Sequence, residues 1–183
     1  ADAGKNLKVI GRAGVGVDNI DVAAAVDRGI AVVNSPLAAS VAVAEHTFGL
    51  MLALARHIPA ADASMKQNKW EKSAFMGAEL NRKTLGLLGI GRIGAEVAKR
   101  AAAFGMSVLA YDPYLTAEQI RGRDAQPAAF DEVIAGSDYI SLHLPFTAET
   151  KGLIGEKQFG KMKKGARLIC AARGGVIDED ALR

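Results

Sequence analysis

Cysteine, aromatic residues and long apolar runs are all scarce in this chain. One cysteine, Cys170, in 183 residues excludes an internal disulfide framework. Its place in an apolar run leads us to expect a small buried side chain and a reducing, cytoplasmic compartment. Aromatics make up 5% of the residues and do not interleave with basic ones. The 23 Lys and Arg are scattered among 20 Asp and Glu, so no nucleic-acid partner is expected. The densest basic run, residues 157–167, reads as the solvated side of a helix and its turn. The longest apolar region, residues 44–55, is headed by Glu45 and His46 and is too short to span a bilayer, so no membrane partner is expected. There are three histidines. His46 and His57 lie 11 residues apart on one helical pattern with no carboxylate at ligand spacing. No metal site is expected there, and surface or hydrogen-bonded roles are. An initiator methionine is lacking and residues 178–183 read as a helix cut short, so a piece of a longer polypeptide is expected, with no signal peptide visible.

Glycine is present in quantity, 20 residues, often where an apolar run stops. The chain is organised around Leu85-Gly86-Leu87-Leu88-Gly89-Ile90-Gly91-Arg92-Ile93-Gly94. Leu85, Leu87 and Leu88 suit a strand buried on both faces. Gly89 allows a tight turn, Gly91 lets the main chain approach a ligand, and Gly94 lets the next helix pack close to the sheet. Ile93, Val97, Ala101 and Phe104 then recur at helical spacing, and the helix start offers free N–H groups to an anion. A second apolar run ends in Asp112, 21 residues past Gly91. A carboxylate there accepts hydrogen bonds from ribose hydroxyls and repels a 2′-phosphate, so NAD rather than NADP is the expected cofactor. A turn without a ligand is the plainer alternative; the order strand, turn, helix, strand, acid favours the dinucleotide.

Before this stretch, residues 7–11 predict a strand, residues 21–28 a helix closed by Gly29, and residues 30–33 a second strand. Between them runs Arg12-Ala13-Gly14-Val15-Gly16-Val17-Asp18-Asn19, a loop that either holds a carboxylate on its backbone N–H groups beside Arg12 or simply turns. Residues 40–69 read as helix with a break at Pro59, a connector between two strand-bearing halves. Residues 70–81 look irregular, and Trp70, Phe75 and Met76 mark an interface if they do not pack on their own subunit. Further helices are predicted from Thr116, over 130–135 and over 156–162, with strands over 139–144 and 167–171. The last two strands deliver His143-Leu144-Pro145 and Arg173-Gly174-Gly175 to the carboxyl edge of a parallel sheet, where such sheets bind ligands. The fold class is therefore α/β, a doubly wound parallel sheet over residues 39–183 that includes the connector, with part of a smaller substrate domain over residues 1–38. Arg173 is the candidate catalytic residue: a permanently charged guanidinium can clamp a carboxylate and polarise the adjacent carbonyl, as hydride transfer to a 2-oxo acid requires. A salt-bridged arginine at a strand end is the alternative.

The loop from Gly11 to Asn19, Gly89-Ile90-Gly91-Arg92-Ile93-Gly94, Tyr111-Asp112-Pro113-Tyr114, His143-Leu144-Pro145 with Thr147 and Thr150, and Ala171-Ala172-Arg173-Gly174-Gly175-Val176-Ile177-Asp178-Glu179 together resemble the D-isomer-specific 2-hydroxyacid dehydrogenases. The resemblance implies a Rossmann-type NAD domain, a flavodoxin-like substrate domain, and a homodimer or homotetramer joined through the connector and the Trp70 region. It implies that Arg92 and Ile93 touch the pyrophosphate and Asp112 the adenine ribose. Val15, His143, Leu144, Pro145, Thr150, Ala171, Ala172 and Arg173 would line the rest of the cofactor cleft, with Gly89, Gly91 and Gly94 shaping it. Arg12, Gly14, Val15, Gly16 and Asn19 would meet the carboxylate of a small 2-hydroxy or 2-oxo acid, and Arg173 matches the catalytic arginine. The family's acid–base histidine and its glutamate would fall beyond Arg183; His143 is not that histidine. The expected reaction is oxidation of 3-phosphoglycerate to 3-phosphohydroxypyruvate, which opens serine biosynthesis. A glyoxylate or hydroxypyruvate reductase shares every motif, and the family's non-catalytic NAD-sensing members keep the fold. Three positions depart from the family pattern: Ala39 replaces a frequent Asn, Ala42 replaces the capping hydroxyl before Glu45, and Cys170 replaces a usual Asn. Ser40 is the expected substitute cap.

Overall fold

The computed structural model describes residues 6–183. They divide into two compact units, the first ending at Ala42 and the second spanning Val43–Arg183. In the first, β1 (Val9–Arg12) runs through the glycine loop and α1 (Val22–Asp27) to β2 (Ala31–Asn34). The two strands pair in parallel with Val9 opposite Ala31. Asp21 caps α1 by accepting from the Ala24 N–H at 2.9 Å, and Gly29, at φ +67°, turns the chain into β2.

Helix α2 (Ser40–Arg56) follows, most of it in the larger unit. Ser40 does not cap it. The residue already lies inside the helix, and its hydroxyl is buried without a partner among the described residues. The expected break at Pro59 comes two residues earlier: His57 adopts a left-handed conformation at φ 54°. Pro59 then sits in the first turn of α3 (Ile58–Lys66), where a missing N–H costs nothing. A 3-10 turn over Lys72–Phe75 follows, and Gly77 lies so close to the end of α2 that a Cβ there would meet the Ala55 carbonyl at 2.3 Å.

From here strands and helices alternate: β3 (Thr84–Leu88), α4 (Arg92–Ala103), β4 (Ser107–Tyr111), α5 (Ala117–Arg121), β5 (Gln126–Pro127), α6 (Phe130–Gly136), β6 (Tyr139–Leu142), α7 (Glu156–Phe159), β7 (Arg167–Cys170) and α8 (Glu179–Leu182). All five strands of this sheet are parallel, in the order β5-β4-β3-β6-β7. Side chains alternate across it. Leu85, Leu87, Val108, Ala110 and Tyr139 pack with Phe48 and Met51 of α2 and Val97 and Ala101 of α4. Leu88, Ile140 and Leu142 pack on the other face with Val133 and Ile134 of α6. Layers on both faces explain why these strands read as nearly unbroken apolar runs. Gly86 lets α6 close onto β3, since a Cβ there would meet Ser137 Oγ at 2.3 Å.

Three other expectations change. The short β5 was not foreseen: Pro127 fits only because the strand is at the sheet edge. Helix α7 stops at Phe159 rather than running to 162, as Gly160 follows. Cys170 is exposed, not buried, because β7 is the other edge strand and its last residue has no neighbour strand on one side.

Candidate functional site

The connection after β3 goes to β4 on one side, and β6 then takes the other side of β3, so the winding reverses between β3 and β6. A crevice opens outside the carboxyl ends of two such strands. Gly89, at φ +85°, turns out of β3 there, and a Cβ on it would strike the His143 carbonyl at 2.8 Å and Leu144 Cδ2 at 3.0 Å. Gly94 is as tightly placed, 2.5 Å from the Gly89 carbonyl by the same measure. At Gly91 a Cβ would meet nothing within 4 Å: this glycine faces open space. Gly91 is also the N-cap of α4 and provides no side-chain cap, so the first turn's N–H groups at Arg92 and Ile93 lack intrahelical partners. An uncapped helix start beside an open glycine suits an anion such as a pyrophosphate.

Asp112, at the end of β4, turns its carboxylate back onto this loop. Oδ2 accepts from the Ile90 N–H at 3.0 Å and Oδ1 from the Tyr114 N–H at 3.0 Å. Each oxygen keeps a second lone pair, so ribose hydroxyls can still be received. Arg123, in the turn after α5, donates through Nη1 to the Ile90 carbonyl. No motif spacing marks Arg123, and sequence reasoning missed it.

Beyond β6 the His143 N–H donates to the Leu88 carbonyl at 2.8 Å, carrying the pairing with β3 past the strand end. The His143 ring lies with Nε2 at 3.0 Å from the buried Ser141 Oγ. Burial lowers its pKa to about 4 from an ordinary 6.5, so the ring is neutral at pH 7. Thr150 closes the following loop: its hydroxyl donates to the Pro145 carbonyl at 2.7 Å and accepts from the Thr147 N–H at 2.8 Å.

A pH dependence follows from His143. The unfolded chain binds the imidazole proton near pH 6.5, the folded chain only near 4. The stabilisation from burying a neutral ring is therefore complete above 6.5 and is lost as pH falls toward 4. Urea unfolding should show the His143→Gln variant losing about 2 kcal/mol less than the parent chain between pH 7 and pH 5. Equal losses would mean that His143 titrates normally.

The Arg173 turn joins the same edge. Gly175, at φ +81°, has Phe146 Cε2 where a Cβ would be, at 2.8 Å, and its carbonyl accepts from the Gly152 N–H at 2.8 Å. Phe146 and Gly175 thus bring the turn of residues 171–175 against the loop of residues 143–150. Arg173 Nη1 donates to the Ala172 carbonyl at 2.8 Å. A cleft of about 610 Å³ opens beside it, lined among others by His46, Cys170, Ala171, Arg173, Ile177 and Glu179. His46 is exposed on α2, as expected, but its place beside Arg173 gave no signal in the sequence. Asp112, the Gly89 to Gly94 turn, His143 to Pro145, Thr150 and Ala171 to Arg173 thus lie along one sheet edge, linked through the contacts above. Among the described residues, no group of three or more His, Cys, Asp and Glu could hold a metal ion.

In the smaller unit the glycine loop is held by the end of β2. Asn34 Nδ2 donates to the Val15 carbonyl at 2.8 Å, and the Ser35 N–H to the carbonyls of Arg12 and Gly14 at 3.2 and 3.1 Å. Arg12 Nη1 donates to the Ala13 carbonyl at 3.0 Å and lies beside Gly14. Gly16 is half-buried, and Asn19 is exposed.

The family model described as "D-isomer specific 2-hydroxyacid dehydrogenase, NAD binding domain" matches residues 48–183. A D-3-phosphoglycerate dehydrogenase from Archaeoglobus fulgidus is 56% identical over 180 residues, covering 98% of this chain and 34% of its own length. A hydroxypyruvate reductase from Thermotoga maritima is 52% identical over 181 residues, 99% of this chain and 58% of that protein. The crystal structure of a D-lactate dehydrogenase from Aquifex aeolicus, complexed with NAD and lactic acid, superposes with a TM-score of 0.83 at 41% identity, over 96% of this chain and 53% of that one. The chain thus spans about a third of the first relative and just over half of the other two. With its glycine-turned β3, open Gly91 and uncapped α4, the chain belongs to the D-isomer specific 2-hydroxyacid dehydrogenase family, with the family's NAD-binding domain in its second unit.

Proposed function

We propose that this chain is part of an NAD-dependent dehydrogenase that oxidises D-3-phosphoglycerate to 3-phosphohydroxypyruvate. The observation that carries the reading is the linked row of strand-end turns, from Asp112 through Gly89 and His143 to Arg173, in a chain 56% identical to a phosphoglycerate dehydrogenase over nearly its whole length. The start of α4 receives the pyrophosphate, with Arg92 and Ile93 donating. Asp112 receives the ribose hydroxyls and disfavours a 2′-phosphate. His143, Leu144, Pro145, Thr150, Ala171 and Ala172 wall the cofactor cleft. NAD held by these residues would supply the hydride acceptor for the carbon bearing the substrate hydroxyl. Arg173 holds the carboxylate and steadies the oxygen that becomes the carbonyl. Arg12, Gly14, Val15, Gly16 and Asn19 supply further donors to the carboxylate. The acid–base histidine and glutamate of the family come from outside these residues, so the chain by itself binds NAD weakly and does not turn over. The test is an assay of the full-length protein with NAD on phosphoglycerate, glycerate and lactate. A rate on phosphoglycerate well above the others is expected, and no activity on the phosphorylated acid would reject this substrate. The hydroxypyruvate reductase at 52% identity favours reduction of hydroxypyruvate or glyoxylate as the second reading, which the reverse assay with NADH separates.

The protein is proposed to work in the cytoplasm as a homodimer or homotetramer. Trp70 and Met76 are 79% and 81% exposed, and they border a depression with Arg56, Lys72 and Phe75. Apolar side chains so exposed support a subunit contact. No helix of the described residues is long and apolar enough to cross a membrane. Trp70→Glu should raise the dissociation constant of the oligomer by about a hundredfold or more, read by sedimentation. An unchanged assembly would move the interface elsewhere.

A further inference from the structure

We propose that Arg123 is a positioning residue for the pyrophosphate-binding turn: its guanidinium holds the Ile90 carbonyl and thereby aligns the N–H donors at Gly91 and the start of α4. The inference rests on the reading that this turn holds NAD, and it adds a residue from outside the glycine motif. Three observations carry it. Arg123 is half-buried and reaches across 33 residues of sequence to the Ile90 carbonyl. Ile90 is fully buried, so that carbonyl is removed from water and needs a donor from the protein. The N–H of the same residue is held by Asp112 at 3.0 Å. A carboxylate therefore fixes the peptide between Gly89 and Ile90, and a guanidinium fixes the peptide between Ile90 and Gly91.

The consequence comes from peptide geometry. In a trans peptide the C=O and N–H point in opposite directions. With the carbonyl committed to Arg123, the Gly91 N–H is turned the other way, at the glycine whose Cβ position is open. A cation on the oxygen also polarises the peptide and makes that N–H a stronger donor. Without Arg123 the turn keeps its shape from the close packing of Gly89 and Gly94, but the middle peptide can rotate. Binding then has to stop that rotation, which weakens affinity.

The experiment uses the full-length protein, with NAD and ADP as probes in calorimetry and backbone amide exchange as a second readout. Arg123→Met should weaken both ligands by roughly tenfold. It should speed exchange at Gly91, Arg92 and Ile93 while leaving the β6 amides unchanged. Arg123→Lys, which restores the charge, should recover affinity to within about threefold of the parent. Should the Met variant fail to fold, Arg123→Gln takes its place, with the same expected losses. Unchanged affinity, a uniform rise in exchange across the sheet, or a Lys variant no better than Met would each overturn the role. Failure of the full-length parent to bind either probe would overturn it together with the dinucleotide reading; parent binding that Arg123→Met leaves untouched would overturn Arg123 alone.

Discussion

Arg173→Ala in the full-length protein should lower kcat by roughly a thousandfold and shift the Kd for NAD by less than about threefold. The two numbers separate because the side chain and the turn that carries it have different supports. The turn is fixed by backbone: Gly175 accepts from the Gly152 N–H at 2.8 Å and packs on Phe146, and the Ile154 N–H donates to the Val176 carbonyl at 3.2 Å. These backbone contacts do not involve the guanidinium, whose Nη1 bond to the Ala172 carbonyl at 2.8 Å is lost on truncation, and they should hold Ala171 and Ala172 in place without it. On the proposed role, what disappears is a planar, permanently charged donor at the oxygen where charge changes during hydride transfer. Arg173→Lys keeps the charge without the fork and should recover only about a tenth of the lost rate. The measurement is steady-state kinetics alongside NAD titration. A large rise in Kd with kcat preserved would move Arg173 from the substrate to the cofactor.

Much of this architecture is legible in the sequence because its central strands are buried on both faces and β3 ends at a glycine. β3, β4, β6 and β7 stand where the apolar runs stand, within two residues at each end. Most of the misses depend on something distant along the chain. Cys170 sits in an apolar run like any other, and only the strand order makes β7 an edge and exposes its last residue. β5 is two residues long and includes a proline, so local propensity argues against it, and its pairing with Leu109 and Ala110 creates it. The helix break is set by His57 adopting a left-handed conformation, which sequence assigns to glycine or asparagine before histidine. Arg123 and Phe146 lie outside the motifs, and their importance comes from what they touch, Ile90 and Gly175. Spacing reveals the glycines that shape a ligand turn; it does not reveal the side chains that hold the turn in place.

Two of those glycines should respond in opposite ways to the same methyl group. Gly94→Ala places a Cβ 2.5 Å from the Gly89 carbonyl, a backbone atom that can withdraw only by moving α4 or the turn. Such overpacking should cost roughly 3 kcal/mol and lower the melting temperature by roughly 6–10 °C. Gly91→Ala places a Cβ where nothing lies within 4 Å, in a backbone conformation at φ −65° that alanine tolerates. Its melting temperature should stay within about 2 °C of the parent. The methyl group then occupies the space through which a pyrophosphate approaches the uncapped start of α4, and NAD affinity should fall by roughly thirtyfold. Stability lost at Gly94 and binding lost at Gly91, measured by thermal melts and NAD titration on the same two variants, distinguish a glycine kept for packing from one kept for a ligand. If Gly91→Ala binds NAD as the parent does, the open space beside it is not where the diphosphate lies, and the assignment of α4 as its anchor falls with it.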